Sequence, residues 1–170
     1  MKGIATKFVL SSLLVLASVP SPLLAQESVL RTSFSFDGVV DCSRPLAVKN
    51  FGLHGEGTAV LYSDRRATLD YTQRGLSSTQ VRFDAKLGGA PSPAPGGTAS
   101  LRVVSRSQLR GVWSLPNNDL ILTISVARNS CTARLDTRLK GGAREYSLYD
   151  SGMLVYCGRP RIGPVSCQAR

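Results

Sequence analysis

Apolar and polar residues alternate with a period of two through most of the chain that follows residue 25. Between 80 and 87, for example, Val81 and Phe83 have one parity whereas Arg82 and Asp84 have the other. Successive side chains of a β-strand point to opposite faces, so this pattern indicates strands with one buried and one solvated face. No window of a dozen residues keeps the apolar stripe that an amphipathic helix needs. The sequence therefore predicts an all-β fold.

The alternating segments predict about eight to ten antiparallel strands in a single domain. The predicted strands are 29–40, 57–63, 66–73, 80–87, 99–106, 109–115, 120–126, 131–139, 144–149 and 153–157. Turn-forming residues separate several of them, at 63–66, 116–119, 128–130 and 150–152. An up-and-down barrel and a two-sheet sandwich both fit this order. The succession of hairpins favours the barrel, because closure removes exposed strand edges.

Residues 1–25 have the pattern of a cleaved signal peptide. Lys2 and Lys7 form a positive beginning, residues 8–19 form an apolar run, and Ala25 supplies the small residue that a signal peptidase requires. The apolar run is shorter than the roughly 20 residues of a membrane span, although an uncleaved N-terminal anchor is the alternative. We therefore expect an exported protein, periplasmic or extracellular, whose mature chain is one domain over 26–170 without a transmembrane segment.

Four cysteines are present, at positions 42, 131, 157 and 167. An even number of cysteines in an oxidising compartment predicts disulfides, and the absence of any C-x-x-C pair argues against a zinc site. Three pairings are possible and the sequence alone does not choose among them. We favour Cys42–Cys131, between an early and a late strand, and Cys157–Cys167, which would close a short loop.

The segment from 88 to 98 is rich in glycine and proline and carries no core residues. As a linker it would divide the chain into two small pieces, and the favoured Cys42–Cys131 bridge would cross the division. A flexible loop within one domain needs no such assumption, so we interpret 88–98 as a loop.

Positive charge is concentrated in the second half of the chain. The formal net charge is +10, which becomes +8 when Lys2 and Lys7 are removed with the signal peptide. Residues 26–98 carry a net charge of +1, whereas residues 99–170 carry +7. Arginine predominates, and its planar guanidinium matches phosphate and carboxylate groups with two hydrogen bonds. The alternative is a basic surface that only keeps the protein soluble.

The basic residues of the second half have a recurring parity. The same parity across two predicted strands is shared by Arg102, Arg106 and Arg110. A second set with a common parity, along another predicted strand, consists of Arg134, Arg138 and Lys140. Residues of one parity lie on one face of a strand, so these six are candidate anion-binding residues on a solvated face.

Two further candidates lie near the C-terminus. Arg159 and Arg161 would project from the proline-stiffened loop that the Cys157–Cys167 bridge closes. The alternative for this loop is a terminal clasp that keeps the last strand from fraying.

Catalytic and metal-binding patterns are weak. His54 is the single histidine, and it lies in a glycine-rich segment, 52–58, that we interpret as a bend before the next strand. A histidine two residues from Glu56 supplies too few ligands for a catalytic zinc. Spacing alone does not show whether two carboxylates, among Asp37, Asp41, Glu56 and Asp70, flank one substrate bond. We expect no enzyme, no cofactor and no metal.

The sequence thus predicts an exported, non-enzymatic β-domain that binds an anionic lipid, a polysaccharide or an acidic protein through its arginine-rich face. Nucleic acid is not expected, because no pattern of aromatic residues among basic ones is present. The alternatives are a barrel that carries a small ligand or inhibits a protein partner, and a weak hydrolase that uses His54. The oligomeric state and the identity of the ligand stay open.

Overall fold

The computed structural model describes residues 28–45, 47–85, 90–128 and 130–169. The predicted signal peptide, 1–25, lies outside them. The described residues form strands and connecting turns without a helix, which confirms the all-β prediction. None of them forms a helix of the length and hydrophobicity that a bilayer crossing requires.

Thirteen strands lie within the described residues, three more than the sequence predicts at most. They are β1 (Ser28–Arg44), β2 (Val48–Tyr62), β3 (Ala67–Arg74), β4 (Ser78–Ala85), β5 (Ser92–Ala94), β6 (Gly97–Ser105), β7 (Gln108–Ser114), β8 (Asn118–Ala127), β9 (Ser130–Leu139), β10 (Tyr146–Asp150), β11 (Met153–Cys157), β12 (Arg161–Ile162) and β13 (Ser166–Ala169). The three unpredicted strands, β5, β12 and β13, are the shortest.

The strands form two antiparallel sheets. The first sheet has the order β10-β11-β1-β2-β3-β4, and β12 and β13 also pair with β1. The second sheet has the order β5-β6-β7-β8-β9. Tight turns join neighbours, as at Ser151 and Gly152, whose φ angles of 51° and 78° are typical of a two-residue hairpin turn.

The sheets do not close into one barrel, so the favoured up-and-down barrel is wrong. Strand β1 pairs with β2 along one edge and with β11, β12 and β13 along the other. Both edges of β1 are therefore occupied. Strand β9, at the end of the second sheet, cannot pair with β1 to close a barrel. Strands β12 and β13, which the periodicity of the sequence did not predict, run back along β1 and account for the open arrangement.

Both sheets contribute to one buried cluster, with Trp113 and Leu69 each only 1% exposed. The cluster draws residues from both sides of the segment 88–98, for example Phe83 and Leu101. Trp113 also donates its indole N–H to the Pro95 carbonyl at 3.0 Å, which satisfies the one polar atom of this buried ring.

Residues 52–58 form part of strand β2 rather than the predicted bend. Phe34 and Phe36 on β1 lie opposite Gly57 and Gly55 on β2. Their rings fill the space that a Cβ on either glycine would occupy. An aromatic ring over a cross-strand glycine buries the bare backbone, and this tertiary contact compensates for the low strand propensity of glycine.

Part of the glycine- and proline-rich segment forms a strand, which the sequence did not predict. Residues 86–89 lie outside the described part of the chain, but Ser92–Ala94 forms β5 and pairs with β6. Gly96, with φ of 68°, makes the turn between the two strands. Pro93 is tolerated because β5 is an edge strand, where a missing N–H costs no ladder bond.

The structure contains two disulfides, as predicted, but both favoured pairings are wrong. Cys42 pairs with Cys157, which lies directly opposite it on β11, and Cys131 pairs with Cys167. The reason is the path of the C-terminal segment along β1, where Cys157 and Cys167 lie opposite Cys42 and Phe34. Those two β1 positions are eight residues apart, about 26 Å along a strand. Cys157 and Cys167 are therefore too far apart to form a disulfide in this fold.

Candidate functional site

Three of the predicted anion-binding residues lie in one row across the outer face of the second sheet. Arg102 on β6 is opposite Arg110 on β7, Arg110 is opposite Thr123 on β8, and Thr123 is opposite Arg134 on β9. All three arginines are exposed. Because adjacent strands are about 4.8 Å apart, the row spans roughly 14 Å from Arg102 to Arg134. We call Arg102, Arg110 and Arg134 the arginine row.

Two more arginines lie at one end of this face. Arg106 is exposed in the β6–β7 turn, and Arg128 is exposed in the β8–β9 turn. The two turns are neighbours, because the Val126 N–H donates to the Ser107 carbonyl at 2.8 Å. The sequence analysis did not single out Arg128, because a turn residue has no strand parity. Because β6 to β9 are successive antiparallel strands, the β6–β7 and β8–β9 turns lie at the same end of the sheet. This strand order is the signal that could have predicted Arg128 at this end.

Charge compensation on this face is incomplete. Arg134 forms an ion pair with Asp136 at 2.9 Å. Within the described residues, Arg102, Arg106 and Arg110 have no carboxylate partner. Like charges directly opposite each other on neighbouring strands are destabilising, so the Arg102–Arg110 pair costs folding free energy that an external anion would recover.

Arginines on the first sheet are arranged differently. Arg74 is paired with Glu56 at 2.5 Å, and Arg44 with Glu145 at 2.7 Å. These two arginines are charge-compensated, whereas the exposed Arg31 on β1 has no carboxylate partner among the described residues. The second sheet differs in that two uncompensated arginines, Arg102 and Arg110, lie directly opposite each other.

Arg138 and Lys140 lie outside the arginine row. Arg138 is exposed opposite Asp119, four residues and about 13 Å along β9 from Arg134. The Lys140 ammonium donates to the Leu115 carbonyl at 2.5 Å and lies 3.7 Å from Asp119. Lys140 thus holds the β7–β8 turn in place, although the sequence predicted it on the same face as Arg134.

Arg159 and Arg161 belong to the first sheet. The predicted disulfide loop does not exist, and Arg161 lies in β12, which pairs with β1. Its guanidinium donates to the Asn50 Oδ1 at 3.0 Å and lies 3.9 Å from Asp41. Arg159 is exposed beside the buried Pro160. Arg161 thus connects β12 to residues of β1 and β2.

His54 lies on the outer face of the first sheet between two carboxylates. Its Nδ1 is 2.8 Å from the Asp37 Oδ1, and its Nε2 is 3.8 Å from the Glu56 Oε2. A histidine that acts as the base of a hydrolase needs a nucleophile that is hydrogen-bonded to its second ring nitrogen. The hydrogen bonds of the described residues place no hydroxyl there. No group of metal-ligating side chains occurs in the same part of the chain.

The described residues enclose a cavity between the sheets that is too small for a typical ligand. A cavity between the sheets, lined by Phe34, Tyr71, Trp113 and Leu135 among others, has a volume of about 20 Å³. Small-molecule sites in proteins measure about 300–1,000 Å³. Burial also raises the pKa of Tyr71, whose hydroxyl donates to the Gln73 Oε1 at 3.3 Å. This volume gives no support to the carrier hypothesis.

Comparison with protein-family models, with curated proteins and with solved structures finds no match to this chain. The side chains themselves therefore supply the evidence about function. Among the predicted site residues, the fold brings together Arg102, Arg110 and Arg134. Arg106 and Arg138 lie towards opposite ends of the same sheet, Lys140 contacts the β7–β8 turn, and Arg159 and Arg161 lie by the first sheet.

Proposed function

We propose that this protein is an exported, non-enzymatic β-domain that binds an anionic component of the cell envelope through the arginine row. The observation that carries the proposal is the direct opposition of Arg102 and Arg110, neither of which has a carboxylate partner in the described residues. Two adjacent uncompensated cations do not stabilise the fold. Binding of a ligand that neutralises them would explain why they lie opposite each other.

The chemistry favours phosphate, sulfate or carboxylate groups. Two opposite guanidiniums, with Cβ atoms about 5 Å apart, can share one tetrahedral or planar anion. Arg134 lies about 10 Å from Arg110, since one strand separates them, and can bind a second anionic group. The row is open to solvent, which suits a polymer or a lipid surface with repeated charges better than a single small ion.

Export is supported by the cysteines and by the predicted signal peptide. Both cysteine pairs are at disulfide distance, and disulfides persist in oxidising compartments. In such a compartment a basic face meets the anionic lipids and polysaccharides of the cell envelope.

The proposal is tested by salt-dependent retention on immobilised heparin and by co-sedimentation with vesicles that contain phosphatidylglycerol. The test variant is Arg102→Gln/Arg110→Gln/Arg134→Gln. The matched control, Arg31→Gln/Lys49→Gln/Arg144→Gln, removes three exposed cations elsewhere and has the same net charge. We expect the test variant to elute at clearly lower salt than the control, because a localised site depends on position and not on total charge.

Equal elution of the two triple variants would show that retention reflects net charge alone and would refute the arginine row as a site. The two supports separate the possible sources of the anion. Retention on heparin without vesicle binding indicates a polysaccharide, whereas vesicle binding that is lost in the test variant indicates a lipid headgroup.

A further inference from the structure

A second concave surface lies on the outer face of the first sheet. The two sheets pack through their buried faces, so this surface points away from the arginine row. It is a groove of about 460 Å³ that crosses strands β13, β1, β2 and β3. Its volume lies within the range of small-molecule sites, about 300–1,000 Å³.

The strand register explains the shape of the groove. In one row, Gln168, Ser33, Thr58 and Asp70 lie opposite one another on successive strands. Here the short hydroxyl side chains of Ser33 and Thr58 lie between the longer Gln168 and Asp70. Short side chains between long ones leave a depression across the sheet. The neighbouring row has hydroxyl side chains at three of its four positions and consists of Ser166, Ser35, Glu56 and Thr72.

Several hydroxyls in the groove are available to a ligand. The Ser35 and Ser166 hydroxyls bond to each other at 2.8 Å. Within the described residues, the side-chain hydroxyls of Ser33, Thr58 and Thr72 have no hydrogen-bond partner. Each can donate one hydrogen bond and accept two. The groove therefore offers both donors and acceptors within a few ångströms.

The carboxylates of the groove are already charge-compensated. Glu56 is paired with Arg74 at 2.5 Å, and Asp70 lies 3.9 Å from Arg82. A cationic ligand would have to compete with these arginines. An anionic ligand would meet two carboxylates. An ionised carboxylate has about four acceptor positions, so each keeps the capacity to accept hydroxyl hydrogens.

From this combination we propose that the groove binds a neutral saccharide, one or two sugar units long. Sugar hydroxyls both donate and accept, so they can pair with the hydroxyl and carboxylate groups that line the groove. The strands are held in place, because β13 pairs with β1 and is linked to β9 through Cys167. A rigid site loses little conformational entropy on binding. A shallow, solvated site that binds through a few hydrogen bonds predicts weak binding, with a dissociation constant of about 1 mM.

The site is tested by amide chemical shifts of the full mature domain during titration with maltose, cellobiose and the disaccharide of N-acetylglucosamine. We expect at least one of them to shift amides near residues 33–35, 56–58, 70–72 and 166–168 in a saturable manner. The variant Ser33→Ala/Thr58→Val should weaken that binding by about tenfold or more, since it removes two hydroxyls without changing charge. The matched control is Thr98→Val/Ser100→Ala on the outer face of the second sheet.

The remaining outcomes contradict the proposal. If none of the three saccharides shifts the groove amides, or if the control variant weakens binding as much as the test variant, the groove is not a saccharide site. Spermidine or sulfate that shifts the groove amides, where the sugars do not, shows an ionic site instead. Unchanged amide shifts elsewhere in each variant establish that it is folded. Because the groove and the arginine row lie on opposite faces, either proposal can fail without the other.

Discussion

Arg102 and Arg110 lie directly opposite each other on neighbouring strands, with no carboxylate partner in the described residues. Cross-strand Cβ atoms are about 5 Å apart, and like charges at this distance destabilise a sheet by a few tenths of a kcal/mol or more. In the same sheet Arg134 is paired with Asp136. Two uncompensated cations therefore face each other where the arginine row begins.

Charge reversal at Arg110 should separate stability from binding. In the Arg110→Glu variant the new carboxylate faces Arg102, so we expect the free energy of unfolding to rise by about 0.5 kcal/mol. Retention on heparin should fall at the same time. Urea unfolding and salt elution of the same preparation measure both effects. A less stable variant that still binds heparin would contradict this account of the Arg102–Arg110 pair.

Alanine substitutions in β2 should distinguish the glycines that the aromatic rings cover from one that is free. A Cβ at Gly57 would overlap the Asp70 carbonyl and the Phe34 ring, whereas a Cβ at Gly52 has nothing within 4 Å. We expect Gly57→Ala to lower the free energy of unfolding by about 2 kcal/mol or more. Gly52→Ala serves as the control and should be neutral or slightly stabilising. Chemical denaturation measures both, and equal values would show that the rings do not constrain β2.

Removal of the disulfide between the sheets should weaken the domain strongly. Cys131 and Cys167 are separated by 36 residues, and a loop of this length predicts a loss of about 4 kcal/mol in the Cys131→Ser/Cys167→Ser variant. Thermal unfolding of the variant and of the native protein, both without reductant, measures the loss. Peptide mapping without reduction should recover Cys42 linked to Cys157 and Cys131 linked to Cys167. Recovery of Cys157 linked to Cys167 would contradict the described path of the C-terminal segment.

Acidification should remove a stabilising contact of Glu145. The Ser43 hydroxyl and the Arg44 guanidinium, which both donate to this carboxylate, hold its pKa below the ordinary value. A lowered pKa in the folded state means that the contribution is complete above the ordinary pKa and is lost as the pH falls through the lowered one. The difference in Tm between the native protein and Glu145→Gln should therefore shrink on acidification. A difference that is constant between neutral and acidic pH would contradict this assignment.

The outer face of the second sheet shows how far strand parity reaches. Parity places Arg134 and Arg138 on one face of β9, and the structure keeps both exposed there. Parity does not show that Arg138 is opposite Asp119, nor that Lys140 bonds the Leu115 carbonyl. Those partners belong to a neighbouring strand and to a turn. The spacing of residues along β9 gives no information about either.

The sequence by itself determined that this chain forms strands, which faces of most of them are buried, and that its cysteines form two disulfides. These properties follow from the period of two and from composition, both of which are local. Only the tertiary structure decided the open two-sheet arrangement, the disulfide partners and the continuity of β2 through Gly55 and Gly57. Each depends on contacts between residues far apart in the chain: residues 161–169 with β1, and Phe34 and Phe36 with the glycines. The free energy of such contacts overrides local preference, and no short stretch of sequence contains both partners.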